Sequence, residues 1–167
     1  MAKQERIDGR SIVSLKVVKT KLGAARKKLQ LAPAMRASGD NLRSLWFGPD
    51  RWLLVSDTMM PDAIIDSCNQ ALDGILHNAV DYSAGLAVIR LTGSDARQVL
   101  ATGTGVDLRP ANFPVDTCCR IRLAQIAAVL VADAPESFEL YVDRSYESYL
   151  SDWLSESSSA YSSYRNS

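Results

Sequence analysis

Leu45-Trp46-Phe47-Gly48-Pro49-Asp50-Arg51-Trp52-Leu53-Leu54-Val55 is the stretch on which the reading of this 167-residue chain turns. Aromatic and branched residues, which fit the pleated surface of a sheet, flank a Pro-Asp pair. Proline's fixed φ suits the second position of a type I or II turn, and aspartate suits the third. The pattern predicts a β-hairpin. Its second arm, Trp52 to Val55, is apolar at every position, whereas a strand with one wet face would alternate. Both faces of that arm are expected to be covered, which puts the hairpin at the centre of a sheet with helices packed on it.

Upstream, Ile12 to Val18 reads as a strand with Ile12, Ser14, Lys16 and Val18 on one side and Val13, Leu15 and Val17 on the other. Leu22, Ala25 and Leu29 recur at helical spacing, Pro33 stops that helix, and Ala37 to Asn41 is a loop. Downstream, Pro61 opens a helix whose apolar stripe runs from Ile64 to Leu76, with His77 at its end and Asn78 as its stop. Gly74 would cost that helix about 1 kcal/mol relative to alanine.

A second unit follows Ala79–Tyr82. Leu86 to Leu91 is a strand, and Ser94 caps a short helix holding Ala96, Val99 and Leu100. A loop rich in Gly and Pro runs from Gly103 to Asp116. Strands follow at Cys119–Leu123, Ala127–Val131 and Phe138–Val142, the last two joined through Pro135. Ser145 opens a closing helix in which Tyr146, Tyr149, Leu150, Trp153 and Leu154 share a face. Residues 155–167, mostly serine, carry no apolar stripe and are expected to form a flexible tail. Residues 1–154 then make one α+β domain with halves at about 12–78 and 79–154. Each half is βαββα-like, giving a mixed or antiparallel sheet with helices on it.

Net charge is zero, which argues against a protein built mainly to hold nucleic acid. Charge is nevertheless polarised. Nine Lys and Arg lie in residues 1–31, and seven acids against Arg144 lie in residues 132–157. No apolar run is long enough to span a bilayer, and Lys3 to Arg10 is too polar for a signal peptide. The odd cysteine count (Cys68, Cys118, Cys119) fits a reducing cytoplasm better than a disulfide framework.

No catalytic, cofactor-binding or metal-binding constellation emerges. His77 reads as a helix-end histidine near the C-terminal dipole, and Cys118-Cys119 has no second cluster at metal-ligand spacing. Gly103-Thr104-Gly105 follows a helix instead of preceding one and lacks the Gly-Lys-Ser/Thr of a phosphate loop, so it reads as a helix stop. The Trp46, Phe47 and Trp52 cluster reads as core, since only Arg51 supplies a cation beside it.

Four segments, in order, resemble one family. They are Phe47-Gly48-Pro49-Asp50-Arg51-Trp52-Leu53-Leu54, Leu91 to Leu100, the Gly105–Pro114 loop with Asp107-Leu108-Arg109-Pro110 and Phe113-Pro114, and Asp143 to Leu154. Together they are similar to the gamma subunits of heterotetrameric sarcosine oxidases and related N-methyl amino-acid oxidoreductases. The resemblance implies a fold like the folate-binding domain of aminomethyltransferases and a structural role without catalytic residues. It implies partners, the alpha, beta and delta subunits and mainly the large alpha subunit, and neither nucleic acid nor membrane. FAD, FMN, NAD and tetrahydrofolate would reside in those partners, in a cytoplasmic flavoenzyme of sarcosine catabolism. That complex oxidises sarcosine to glycine, passes the methyl carbon to tetrahydrofolate and releases hydrogen peroxide. The competing reading is a free-standing aminomethyltransferase-like domain that binds a folate or another small ligand.

The long Gly103–Pro114 connection is the candidate partner interface, through Leu108, Arg109, Pro110 and Phe113. Arginine supplies the planar donor that interfaces favour, and two apolar side chains are poor choices for a solvated loop. The alternative is that Leu108 and Phe113 fold back onto their own core.

Overall fold

The hairpin forms as expected. In the computed structural model, which describes residues 1–165, its two strands pair antiparallel about Pro49-Asp50 with Trp46 opposite Trp52. A register shift between Trp46 and Gly48 places a bulge beside the turn, which sharpens the local twist. Among the described residues the elements run β1 (Lys3–Ile7), β2 (Ser11–Val17), α1 (Leu22–Leu29), β3 (Ala37–Ser38), β4 (Arg43–Gly48), β5 (Arg51–Ser56), α2 (Pro61–Ala71), β6 (His77–Asp81), β7 (Leu86–Thr92), α3 (Ala96–Ala101), β8 (Cys118–Leu123), β9 (Ile126–Ala134), β10 (Ser137–Asp143) and α4 (Glu147–Arg165).

The chain resolves into two compact units, one formed by Gly9–Leu86 and the other by Met1–Asp8 with the chain from Ala87 onward. Each holds its own five-stranded sheet, so the one expected sheet is in fact two.

In the Gly9–Leu86 unit the antiparallel order is β3-β4-β5-β2-β6, with the apolar arm Trp52–Val55 in the middle strand. Val13, Leu15 and Val17 from β2, with Trp52 and Leu54 from β5, meet Ala25 of α1 and Ile64 and Cys68 of α2 in one core. Ile12, Leu53 and Val55, on the opposite face, are also buried, as the unbroken apolar run requires. Trp52 is 2% exposed, and its indole N–H donates to the Ala32 carbonyl at 2.9 Å, which fastens the chain after α1 over the sheet.

Two expectations here need correction. Residues 37 and 38 form a short edge strand, not loop. The second helix ends at Ala71, well before Asn78, because Gly74 takes φ +73°, a left-handed conformation that terminates helices. His77 consequently opens strand β6 and does not close a helix.

The other unit orders its strands β1-β7-β10-β9-β8. Ile89, Leu91, Leu130, Phe138, Leu140 and Val142 pack beneath α3 and α4, which supply Val99, Leu100, Leu150 and Leu154. On the sheet's other face Glu139 is buried, accepting from Arg90 Nη2 at 2.7 Å and from the Tyr141 hydroxyl at 2.8 Å. The charge is buried because it is paired and hydrogen-bonded.

The halves expected at 12–78 and 79–154 miss an exchange of edge strands. β1 precedes β2 in the chain but pairs with β7, and β6 precedes β7 but pairs with β2. Each run, β2 to α2 and β7 to α4, thus receives as edge strand the segment that precedes the other run.

Helix starts also differ in detail. Asp95, not Ser94, occupies the position before α3. Asp143 caps the last helical segment by accepting from the Ser145 amide at 2.9 Å. The expected flexible tail is helical as far as Arg165, and residues 166 and 167 lie outside the described residues. Tyr161 packs against the core, Arg165 pairs with Asp95 at 2.8 Å, and Ser159 and Ser163 donate their hydroxyls to carbonyls one turn back. A helix without a continuous stripe is held by these few anchors.

Candidate functional site

The sequence-nominated loop is built around Arg97 on α3. Its Nη1 donates to the Leu108 carbonyl and, at 3.0 Å, to the Phe113 carbonyl, while Nη2 reaches the Pro135 carbonyl at 3.3 Å. The guanidinium also lies over the Phe138 ring, 4.8 Å from its centre. Burial lowers the pKa of Arg97, yet it stays cationic because an arginine starts so far above neutrality. One side chain therefore satisfies several carbonyls of a connection that has no ladder of its own.

The four nominated residues part company. Leu108 and Phe113, 3% and 2% exposed, join the core beneath α3 and α4. Arg109 and Pro110 face outward. The expectation that all four face a partner is thus corrected for Leu108 and Phe113, whose apolar side chains gain more from burial than from solvent. Arg109 is held by Asp107, whose carboxylate accepts from the Arg109 amide at 3.0 Å, from its guanidinium and, at 2.5 Å, from Asn112 Nδ2. Those hydrogen bonds hold the Asp107 carboxyl well below the usual carboxylate range. At the loop's start Gly103 accepts close packing, since a Cβ there would meet the Trp153 ring at 2.5 Å. That supports the helix-stop reading of Gly103-Thr104-Gly105.

The remaining polar candidates are absorbed by structure. His77 lies on β6 with Nδ1 2.7 Å from the Ile75 carbonyl and Nε2 3.0 Å from Asn69 Oδ1. The cysteines are buried and form no disulfide, and burial pushes the Cys68 and Cys119 thiols up to about 11, far from the reactive thiolate at neutral pH. Among the described residues no group of three or more His, Cys, Asp or Glu could hold a metal ion. No helix among them is long and apolar enough to cross a membrane.

Two concave surfaces lie on the Gly9–Leu86 unit, and the hairpin turn contributes to both. A cleft of about 360 Å³ is lined by Lys16, Val17, Val18, Lys19, Asp50, Leu76, His77 and Asn78. A smaller one of about 280 Å³ lies between α1 and the hairpin, against Arg26, Trp46, Pro49 and Trp52. Sequence reasoning missed the first, because its lining comes from β2, the hairpin turn and β6, which are distant in the chain. Leu76, expected in a buried helix stripe, is instead 77% exposed beside it.

This geometry has known counterparts. Residues 15–160 match the model of the sarcosine oxidase, gamma subunit family. Sarcosine oxidase subunit gamma of Corynebacterium sp. (strain U-96) is 30% identical over 118 residues, 71% of this chain and 57% of that protein. The match thus spans little more than half the length of that relative. A chain of the heterotetrameric sarcosine oxidase from Corynebacterium sp. U-96, solved with pyrrole 2-carboxylate, superposes with a TM-score of 0.86 and 25% identity, covering 96% of this chain and 85% of that one. Aminomethyltransferase T of the glycine cleavage system from Bartonella henselae gives 0.68 at 13% identity over 92% of this chain and 45% of that one, a likeness of fold. With its hairpin, its pinned loop and most of its closing helix inside the matched region, the chain belongs to the sarcosine oxidase gamma subunit family.

Proposed function

We propose that this chain is the small, non-catalytic assembly subunit of a heterotetrameric sarcosine oxidase. The observation that carries the reading is the likeness to a chain of the Corynebacterium heterotetramer, which runs through 96% of this sequence and so through both compact units. The partners are the alpha, beta and delta subunits, the large alpha subunit foremost. They hold FAD, FMN, NAD and the tetrahydrofolate that accepts the methyl carbon as sarcosine becomes glycine and hydrogen peroxide is released. The complex works in the cytoplasm, a location in keeping with three cysteines that form no disulfide.

Arg109 and Pro110 form one docking point on this subunit. Their exposure, and the Asp107 clamp that pre-orders the arginine, cut the entropy cost of docking. Leu108 and Phe113 serve it from beneath, as the footing of the loop.

Copurification tests the reading. A tagged chain co-expressed with the large subunits should bring them down together with flavin absorbance, while the chain alone should be colourless. Stoichiometric flavin on the isolated chain, or failure to retain any large subunit, overturns the assembly role. Tight binding of tetrahydrofolate by the chain alone would favour the free-standing folate domain instead.

A further inference from the structure

The Gly9–Leu86 unit leaves one sheet edge undefended. Sheet edges carry rows of unpaired N–H and C=O groups that invite another strand, and proteins blunt them with brevity, charge or proline. Three of the four edges among the described residues are blunted in this way. β3 has only two residues, β1 carries Lys3, Glu5 and Arg6, and β8 carries Arg120 and Arg122. β6, with the sequence His-Asn-Ala-Val-Asp, has neither lysine, arginine nor proline. Its one carboxylate, Asp81, turns back to accept from the Ser83 amide at 2.9 Å and the Ser83 hydroxyl at 2.6 Å. Around it Leu76, Val80 and Tyr82 are 77%, 47% and 41% exposed.

The register shows which backbone groups face outward. The Val18 amide donates to the Leu76 carbonyl at 3.0 Å, and the Tyr82 amide donates to the Ile12 carbonyl at 2.7 Å. Bonded and non-bonded pairs alternate along an antiparallel ladder. Leu76, Asn78, Val80 and Tyr82 therefore turn their backbones toward β2, and His77, Ala79 and Asp81 present theirs to the outside. The 360 Å³ cleft adjoins this edge at the His77 end, with Val17, Val18 and Leu76 as apolar lining and Lys16 and Lys19 beside them. Neither ammonium has an ion-pair partner among the described residues, and the only carboxylate on the lining, Asp50, lies 4.0 Å from Arg51.

We propose that β6 is the docking edge for an extended segment of a large partner subunit, which adds a strand beside His77–Asp81. The segment places an apolar side chain in the adjoining cleft and a carboxylate near Lys16 and Lys19. Main-chain bonds supply the affinity of such strand addition, and the cleft with its two cations supplies the choice of sequence. The proposal rests on the reading of this chain as a subunit of a larger complex.

The full chain, co-expressed with the large subunits, is the test material. Ala79→Pro removes an outward N–H while leaving the bonds to β2 in place. Val80→Lys adds the charge that natural edges use for protection, and Lys16→Glu with Lys19→Glu reverses the cations. Each variant should melt near the wild type on its own and hold its partner about 10-fold less tightly or worse, the factor expected for one lost hydrogen bond in a dry interface. If Ala79→Pro does not fold, Val80→Lys carries the test, since its side chain is exposed. Wild-type affinity in both edge variants overturns the proposal. Weakening by the edge variants without any effect of the double charge reversal overturns the acidic segment. A wild-type chain that dimerises alone and becomes monomeric with Val80→Lys makes the occupant a second copy, which also overturns it. If the wild type itself assembles with no large subunit, the subunit reading fails first, and the partner strand with it.

Discussion

Arg97 donates from Nη1 to the Phe113 carbonyl at 3.0 Å, so a helix side chain does for the Gly103–Asp116 connection what a neighbouring strand does for a ladder. The same group holds the Leu108 carbonyl and caps the Phe138 ring. Arg97→Lys keeps the charge but loses the fork, leaving buried carbonyls unpaired. The expected loss is about 2–3 kcal/mol, on the scale of charged hydrogen bonds. Urea denaturation measures it, and amide exchange should rise first in residues 103–116. An unchanged denaturation midpoint would mean that the loop holds itself.

Within that loop, Phe113 and Arg109 should behave as opposites. Phe113→Ser empties a core site and is expected to cost about 3–5 kcal/mol. Arg109→Ala, with its exposed ion pair, should leave the melting temperature of the isolated chain close to wild type while weakening assembly with the large subunits. Thermal melts of the isolated chain and pulldowns of the complex separate the two effects. A stable Phe113→Ser variant would contradict the buried position of that ring.

Trp52 is the anchor of the central strand. Trp52→Ala should cost about 3–5 kcal/mol from lost burial and the cavity together. Trp52→Phe keeps most of the packing but strands the Ala32 carbonyl, for a loss of about 1–3 kcal/mol. The order wild type, then Phe, then Ala in urea midpoint is the expected outcome. Equal midpoints for Phe and wild type would show that the indole N–H contributes nothing.

Glu139 is buried against Arg90 and Tyr141. Arg90→Met takes a cation away from the buried carboxylate and should destabilise by about 3 kcal/mol. Adding Glu139→Gln should recover much of that loss, since the charge itself is then gone. A double variant no more stable than Arg90→Met would assign the cost to packing.

Alkaline pH should act through the buried thiols. Burial raises Cys68 and Cys119 to about 11, above the ordinary thiol value, so the native state keeps its protons while the unfolded chain loses them. Their contribution is therefore complete below the unfolded pKa and is lost as pH climbs from about 9 to about 11. Melting temperature should fall over that window more steeply in the wild type than in Cys68→Ala combined with Cys119→Ala. Parallel curves would show that other groups control the alkaline limb.

What the sequence determined on its own is local. The Pro49-Asp50 reversal, the all-apolar arm Trp52–Val55, the proline start of α2 and the strand periods from β7 to β10 follow from dihedral limits and from periods of 2 and 3.6, which need no distant partner. What only the tertiary structure decided is non-local. Lys3–Ile7 carries too little apolar signal to announce a strand, because a solvated edge is specified by the neighbour it pairs with, here β7. Residues 155–165 have no stripe, and their helix stands on Tyr161 and on an arginine that finds Asp95 seventy positions away in sequence. Leu108 and Phe113 could have faced a partner or their own core. The choice fell to Arg97, whose reach to both carbonyls no spacing rule foretells. Periodicity records which side chains seek burial, and only the assembled sheets decide which edges meet and which are left open, as β6 is.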